Sequence, residues 1–177
     1  GCTVENIRIT GNPAFAGGIA ARVRGGGISG CTVSGTVSAD CAGGIAAYVS
    51  ERGVLTLCEN DASVRSDASS ALAGGLAGVL TNATITESIN RGSVCVGQSA
   101  DSLSGGACAS ASDAVLTDIS NYGAVNTVSA SEPVGETAGG IAGSLIGGKI
   151  SQCRNFAPVN ANLYCGGIVG FAQKHTA

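Results

Sequence analysis

One phrase recurs along the whole chain and limits what it can fold into. It reads Ala16-Gly17-Gly18-Ile19-Ala20-Ala21, then Ala42-Gly43-Gly44-Ile45-Ala46-Ala47, then Ala73-Gly74-Gly75-Leu76-Ala77-Gly78. It weakens to Ser104-Gly105-Gly106-Ala107-Cys108-Ala109, returns as Ala138-Gly139-Gly140-Ile141-Ala142-Gly143, and closes as Cys165-Gly166-Gly167-Ile168-Val169-Gly170. The first glycines stand at 17, 43, 74, 105, 139 and 166, so the steps are 26, 31, 31, 34 and 27. A period near thirty residues is the mark of stacked repeats, each too small to bury its own apolar face.

A second signature sits between the glycine pairs. Cys58-Glu59-Asn60-Asp61-Ala62-Ser63-Val64 aligns with Ser88-Ile89-Asn90-Arg91-Gly92-Ser93-Val94, with Ile119-Ser120-Asn121-Tyr122-Gly123-Ala124-Val125 and with Cys153-Arg154-Asn155-Phe156-Ala157-Pro158-Val159. Cys31 to Val37 keeps the frame with Val33 in the place of Asn, and the first unit, from Cys2, is the most irregular. Short β-branched runs precede it, as in Thr84-Ile85-Thr86, Val115-Leu116-Thr117 and Lys149-Ile150-Ser151. Runs of this kind, bounded by Gly, Asn and Ser, read as strands, and no stretch shows helical periodicity. The chain is therefore expected to form one all-β domain over residues 1–177, a parallel solenoid of about six coils.

Coils stacked in this way set equivalent residues about 4.8 Å apart. Ile19, Ile45, Leu76, Ile141 and Ile168 should then make one inward stack, and Val37, Val64, Val94, Val125 and Val159 another. Asn60, Asn90, Asn121 and Asn155 should form an amide ladder, each bonded to its own turn and to the next coil. The glycine pairs should serve either a positive φ or a close backbone approach at a corner. On this reading Ile141→Asp costs several kcal/mol, whereas Asp113→Ala, in a loop, shifts stability by less than about 0.5 kcal/mol. The longest inserts, Ser66 to Leu72, Gly97 to Leu103 and Val128 to Thr137, all precede a glycine pair. They should fall on one side of the solenoid, often the binding side.

Composition agrees with a narrow, ordered interior. Apolar residues make up 44% of the chain, aromatics 3% and charged residues 12%, with 29 glycines. That excludes disorder, and the absence of glycine at every third position excludes a collagen helix. The net charge of −3 is spread without a basic run, which argues against nucleic acid as a partner. No apolar run approaches the ~20 residues of a membrane-spanning helix. The chain opens at Gly1-Cys2, already inside a repeat, and reads as a piece of a longer secreted protein.

Motifs that carry chemistry are weak here. Gly143 to Lys149 has the spacing of a phosphate loop, but Ile150 stands where a magnesium-binding hydroxyl belongs. Gly25-Gly26-Gly27-Ile28-Ser29-Gly30 fits a dinucleotide-binding spacing without a following helix. Glu59, Asp61 and Glu87, with Arg91 and Arg154, are the carboxylates and bases nearest in alignment, yet they do not accumulate in one column as acid–base catalysis requires. Thr84-Ile85-Thr86 is a lone Thr-x-Thr, too little for an ice-binding array, and Asn82-Ala83-Thr84 is a lone glycosylation sequon. The eight cysteines contain no Cys-x-x-Cys pair and the single His175 lies in the tail, so a zinc site is not expected. Cys2, Cys31 and Cys58 fall on adjacent coils within disulfide reach, but small inward cysteines also pack as apolar groups. Buried free thiols are the favoured reading. No catalytic, cofactor-binding or metal-binding residue is assigned, and no cofactor is expected.

The phrase Gly-Gly-Ile/Leu-Ala-Gly followed by an isolated Ile and a Cys-x-Asn or Ser-x-Asn turn resembles the glycine-rich GLUG-type repeats of bacterial cell-surface proteins. Such repeats also accompany IgA-cleaving metallopeptidases of mucosal bacteria. Ala73 to Gly78 and Ala138 to Gly143 carry the likeness best. The resemblance implies a right-handed β-solenoid displayed outside the cell, and none of the metallopeptidase zinc motif is present. The expected role is a non-enzymatic module of a secreted or surface-anchored protein, serving as spacer and adhesive scaffold. Its partners would be a host or cell-surface protein or glycan and neighbouring domains of the same chain. The alternative is a carbohydrate-binding or polysaccharide-degrading β-helix.

Overall fold

The computed structural model describes residues 1–11, 13–97, 101–126 and 136–174. These form 23 short strands in three sheets and no helix. A single turn shows how the repeat is used. Cys41–Gly43 lies in the second sheet and Ala46–Ser50 in the third. Val54–Thr56, Glu59–Asn60 and Ser63–Ser66 then lie in the first. The chain next enters the second sheet again at Leu72–Gly74, one step along the axis.

All strand pairing is parallel, and it is in register between successive turns except where Thr3–Ile9 shifts register against Thr32–Ser38 between Val4 and Ile7. Gly17, Gly43, Gly74, Gly105, Gly139 and Gly166 are direct partners in one column. The six doublets therefore form six rungs that enclose five complete turns. Parallel pairing of this kind needs both termini of each strand joined by crossovers, and the repeat supplies them within about thirty residues.

The inward columns match the expected stacks. Ile45, Leu76 and Ile141 are fully buried and hydrogen-bonded in series, with Ala107 as the small fourth member; Ile19 and the partly exposed Ile168 end the column. Val37, Val64, Val94 and Val125 are buried and directly paired, and Val159 continues the row. A third column, Ile28, Leu55, Ile85, Leu116 and Ile150, fills the first sheet. Each fully buried Ile, Leu or Val contributes roughly 1.5–3 kcal/mol. That gain is shared between neighbours, because no single turn covers both sides of its own side chains.

The asparagine ladder is present in full. Nδ2 of Asn60 donates to Oδ1 of Asn90, Asn90 to Asn121, and Asn121 to Asn155, each at 2.8 Å. The same amide nitrogens donate to the carbonyls of Ala62, Gly92, Gly123 and Ala157, closing the local turns. Asn60, Asn90 and Asn121 are wholly buried, so these bonds replace water fully.

The glycine pairs serve the close approach and not a positive φ. Their two members face opposite ways. A Cβ on the second glycine would point inward, onto the ladder: on Gly75 it would lie 2.1 Å from the Gly106 oxygen and 2.3 Å from Cγ of Asn90. Gly44, Gly106 and Gly140 meet Asn60, Asn121 and Asn155 in the same way, and Gly18 meets Val33. A Cβ on the first glycine would point outward and strike the third sheet: on Gly74 it would lie 1.8 Å from the Ala77 oxygen.

Positive φ is concentrated at two other corners. Gly30, Leu57, Glu87, Asp118 and Gln152 form one left-handed column, immediately before the Cys/Ser/Ile position that precedes the Asn turn. Asn82 and Asp113 sit in the left-handed region at the corner after the third sheet, where other turns use Gly25 or Gly147 and Gly148. Asp113 has φ 49°, so it is not a neutral loop position: alanine there costs on the order of 1 kcal/mol in backbone strain. Of the long inserts, Ser66 to Leu72 links the first sheet to the second, as expected. Within the other two, Gly97 to Leu103 and Val128 to Thr137, residues 98–100 and 128–135 lie outside the described residues.

Five substitutions test this packing by chemical denaturation. Gly75→Ala is expected to destabilise by about 3 kcal/mol. Gly167→Ala, whose added carbon meets nothing within 4 Å, should be near neutral. Equal effects would refute the inward contact of the second glycine. Ile141→Asp should cost about 4 kcal/mol or more, while Asp61→Ala, an exposed position of ordinary φ, stays within about 0.5 kcal/mol. Asn90→Ala should cost about 3 kcal/mol, because it strands the buried partners on both neighbouring turns.

Candidate functional site

The first glycines define the site. Because each presses its outer face against third-sheet backbone, the outer faces of the second and third sheets meet at an inside corner. Two outward columns line the resulting groove. One is Phe15, Cys41, Leu72, Leu103, Thr137 and Tyr164. The other is Arg22, Tyr48, Val79, Ser110, Ser144 and Phe171. Six rungs at ~4.8 Å give a length of about 24 Å.

Both mouths of the groove are aromatic. At one, Phe15 and Tyr48 meet edge to face with centroids 6.3 Å apart, and the Arg22 guanidinium stands 5.0 Å from the centre of the Tyr48 ring. These residues and Ala21 line a cavity of about 260 Å³. At the other, Tyr164 and Phe171 pack at 5.6 Å beside a cavity of about 270 Å³ lined also by Leu103, Leu163, Asp101 and Glu136. Glu136 Oε2 accepts from the Asp101 backbone N–H at 3.2 Å. One mouth is thus basic and the other acidic, with small and aliphatic side chains between.

The residues weighed from sequence fall elsewhere. Ala142–Ile146, Gly147, Gly148 and Lys149–Ser151 run strand, corner, strand, so the phosphate-loop spacing has no helix to serve. Gly25 and Gly26 make the same corner one end earlier. Glu59 is held by Arg91 in an ion pair, and Arg154 stands 3.9 Å from Asp118. Asp61, Arg91, Tyr122 and Phe156 share a column: Arg91 lies 5.7 Å from the Tyr122 ring centre, and Tyr122 stacks on Phe156 at 4.8 Å and 11°. Each of those rings covers one face of the other, and both side chains stay exposed. Thr86 belongs to a hydroxyl row, Ser29, Thr56, Thr86, Thr117 and Ser151, but the column of Thr84 runs Gly27, Val54, Thr84, Val115 and Lys149. Asn82 of the sequon is exposed at its corner. His175 lies outside the described residues. Among the described residues no cluster of three or more metal-ligating side chains occurs.

Sequence reasoning missed the groove. The signal for it was present in the placement of Phe15, Tyr48, Tyr164 and Phe171 at matching distances around glycine pairs.

All eight cysteines are free thiols. Cys31, Cys41, Cys58 and Cys108 are buried, whereas Cys2 and Cys165 are exposed. Burial pushes the Cys108 thiol up to about 12, with the neighbouring Cys153 adding to it, and pushes Cys41 up to about 12 with help from Asp40. Cys58 and Cys153 are raised by burial as well. These are inert packing groups and not nucleophiles.

No known protein-family profile matches the chain, and no curated protein matches its sequence. Among solved structures, a candidate immunoglobulin A1 protease from Bacteroides ovatus is similar, with TM-score 0.60 and 22% identity over 84% of this chain and 49% of that one. The likeness is one of fold, and the chain spans about half the length of that protein.

Two thiol measurements check the buried assignments. In native protein Cys2 and Cys165 should react rapidly with a thiol reagent, and Cys41 and Cys108 only after unfolding. With folded values near 12 against an ordinary 9.0, the unfolded chain releases these protons first as pH rises. Stability from this source is fully present below pH 9 and is lost between about pH 9 and 12. Cys108→Ala should reduce the loss; an unchanged alkaline slope would contradict the burial of Cys108.

Proposed function

We propose that the chain is a non-enzymatic, extracellular repeat module of a bacterial surface protein, a stiff spacer whose groove is its contact surface. The observation that carries this reading is the groove itself: a continuous concave face, aromatic at both mouths, built on turns that are locked to one another by backbone and amide ladders. Stiffness follows from the stacking, since each turn is bonded to its neighbours along all three sheets. Concave, mostly apolar surfaces with a few polar groups are the usual form of binding sites. The GLUG-like repeats and the Bacteroides ovatus neighbour support a place in a secreted protein of which this segment is an accessory part. The carboxylates outside the groove support no turnover, because Glu59 is neutralised by Arg91 and, of the adjacent acids Glu87 and Asp118, the second has Arg154 beside it.

The aromatic mouths favour a glycan as one class of partner, and protein remains the other. The test is a glycan and extracellular-protein array, followed by product analysis. Binding without cleavage is expected. Val79→Arg or Ser110→Arg, in mid-groove, should weaken binding at least tenfold, while Thr86→Arg, on the first sheet, leaves it unchanged. Release of new reducing ends, unsaturated sugars or peptide fragments would overturn the non-enzymatic reading.

A further inference from the structure

We propose that Phe15, Arg22 and Tyr48 form a subsite for a hexuronate unit of an acidic polysaccharide. This rests on the reading of the groove as a contact surface and adds the ligand class at one mouth.

Arg22 is exposed, and among the described residues it makes no ion pair. By contrast, Arg24, Arg65, Arg91 and Arg154 each face an acidic side chain. Its guanidinium is held instead at 5.0 Å from the Tyr48 ring centre. A cation fixed over a ring keeps N–H donors for the two oxygens of a carboxylate, and its fork matches that group in geometry. Charge and shape together therefore select a planar anion.

The remainder of the subsite suits a sugar. Phe15 is 51% exposed although it lies beside Tyr48, so ring surface is open at the mouth. An aromatic surface covers the C–H face of a pyranose, while polar groups at its edge take the hydroxyls. The Tyr48 hydroxyl and Thr81 Oγ1 lie 3.2 Å apart and supply both a donor and an acceptor there. The cavity of about 260 Å³ is below the ~300–1,000 Å³ of drug-sized pockets and matches one sugar unit. The rest of a chain can follow the groove along the axis.

An acidic peptide fits less well. Extended peptides gain affinity by adding main-chain hydrogen bonds at a sheet edge. Phe15–Gly17 and Ala20–Arg24 are the edge strands of their sheets, so such an addition would run beside the cavity, which is itself lined by the side chains of Phe15, Ala21, Arg22 and Tyr48. Recognition must come from rings, hydroxyls and the guanidinium.

Calorimetric titration of the 177-residue protein with trigalacturonate, maltotriose and triglutamate tests the assignment. Trigalacturonate should bind at least tenfold more tightly than maltotriose and triglutamate. Arg22→Gln should lose tenfold or more toward trigalacturonate and keep its value for maltotriose. Phe15→Leu should weaken both sugars, and Lys149→Gln, a cation lost from another face, should change neither. Arg22 is exposed, so its variant should retain the wild-type melting temperature, and that is measured alongside. Equal binding of the two sugars, triglutamate matching trigalacturonate, an unaltered Arg22→Gln, or no binding at millimolar trigalacturonate would each sink the subsite. Glycan binding that survives Arg22→Gln and falls with Val79→Arg would remove this subsite and leave the groove as the contact surface.

Discussion

The contact between the second glycine of the four middle doublets and the asparagine side chain across the same turn is the constraint on which the architecture depends. Gly75 and Asn90, or Gly106 and Asn121, occupy space in which a single added carbon would overlap both an amide and a carbonyl of the next turn. The absence of a Cβ lets the asparagine enter the interior. Once inside, the amide has four hydrogen-bonding sites to satisfy and no water. It meets that demand through its own turn and through the amides one step above and below. The ladder is stable only if every turn repeats the geometry. A buried polar row thus enforces register, in a fold whose apolar columns alone would tolerate slippage by a turn's irregularity.

Register has a price at the outer surface, where each column sets like positions about 4.8 Å apart. Two equal charges at that spacing repel, so exposed columns alternate. Asp61, Arg91, Tyr122 and Phe156 succeed one another without a repeated charge, and the adjoining column runs Glu59, Ile89, Ser120, Arg154. The Glu59–Arg91 ion pair joins these two columns diagonally. Carboxylate pairs of the kind used in acid–base catalysis conflict with this tendency. Glu87 and Asp118 are the neighbouring acids that do share a column, and Arg154 stands beside the second.

Much of this was legible in the chain. A doublet of glycine six times over, with Asn and Val at fixed distances, leaves few choices but stacked parallel turns, and the inward identities of Ile45, Val64 and Asn90 follow from alignment alone. Backbone conformation was less legible. The left-handed corner is occupied by Gly30, Leu57, Glu87, Asp118 and Gln152, residues with no shared chemistry, because its φ is imposed by neighbouring turns and not by local preference. Asp113 deceived for the same reason: spacing marks it as a loop residue, while its conformation makes it a corner. The groove was illegible because it arises from the direction each glycine faces. A doublet announces crowding, but only the fold shows that one member crowds the core and the other crowds the neighbouring sheet.

That division of labour also explains why recognition chemistry gathers at the inside corner. The interior is consumed by stacking, and Tyr122 and Phe156 each give one ring face to the other. At the corner, the first glycines bring two outer faces together, so side chains from different sheets converge without having to stack along the axis. Phe15 and Tyr48 approach edge to face there, and Arg22 meets the Tyr48 ring without an acidic partner among the described residues. Convergence of two faces lets a solenoid with few aromatic residues assemble a concave apolar site. The same glycines that make the turn thin enough to stack therefore also create a place on its surface where a ligand can be surrounded.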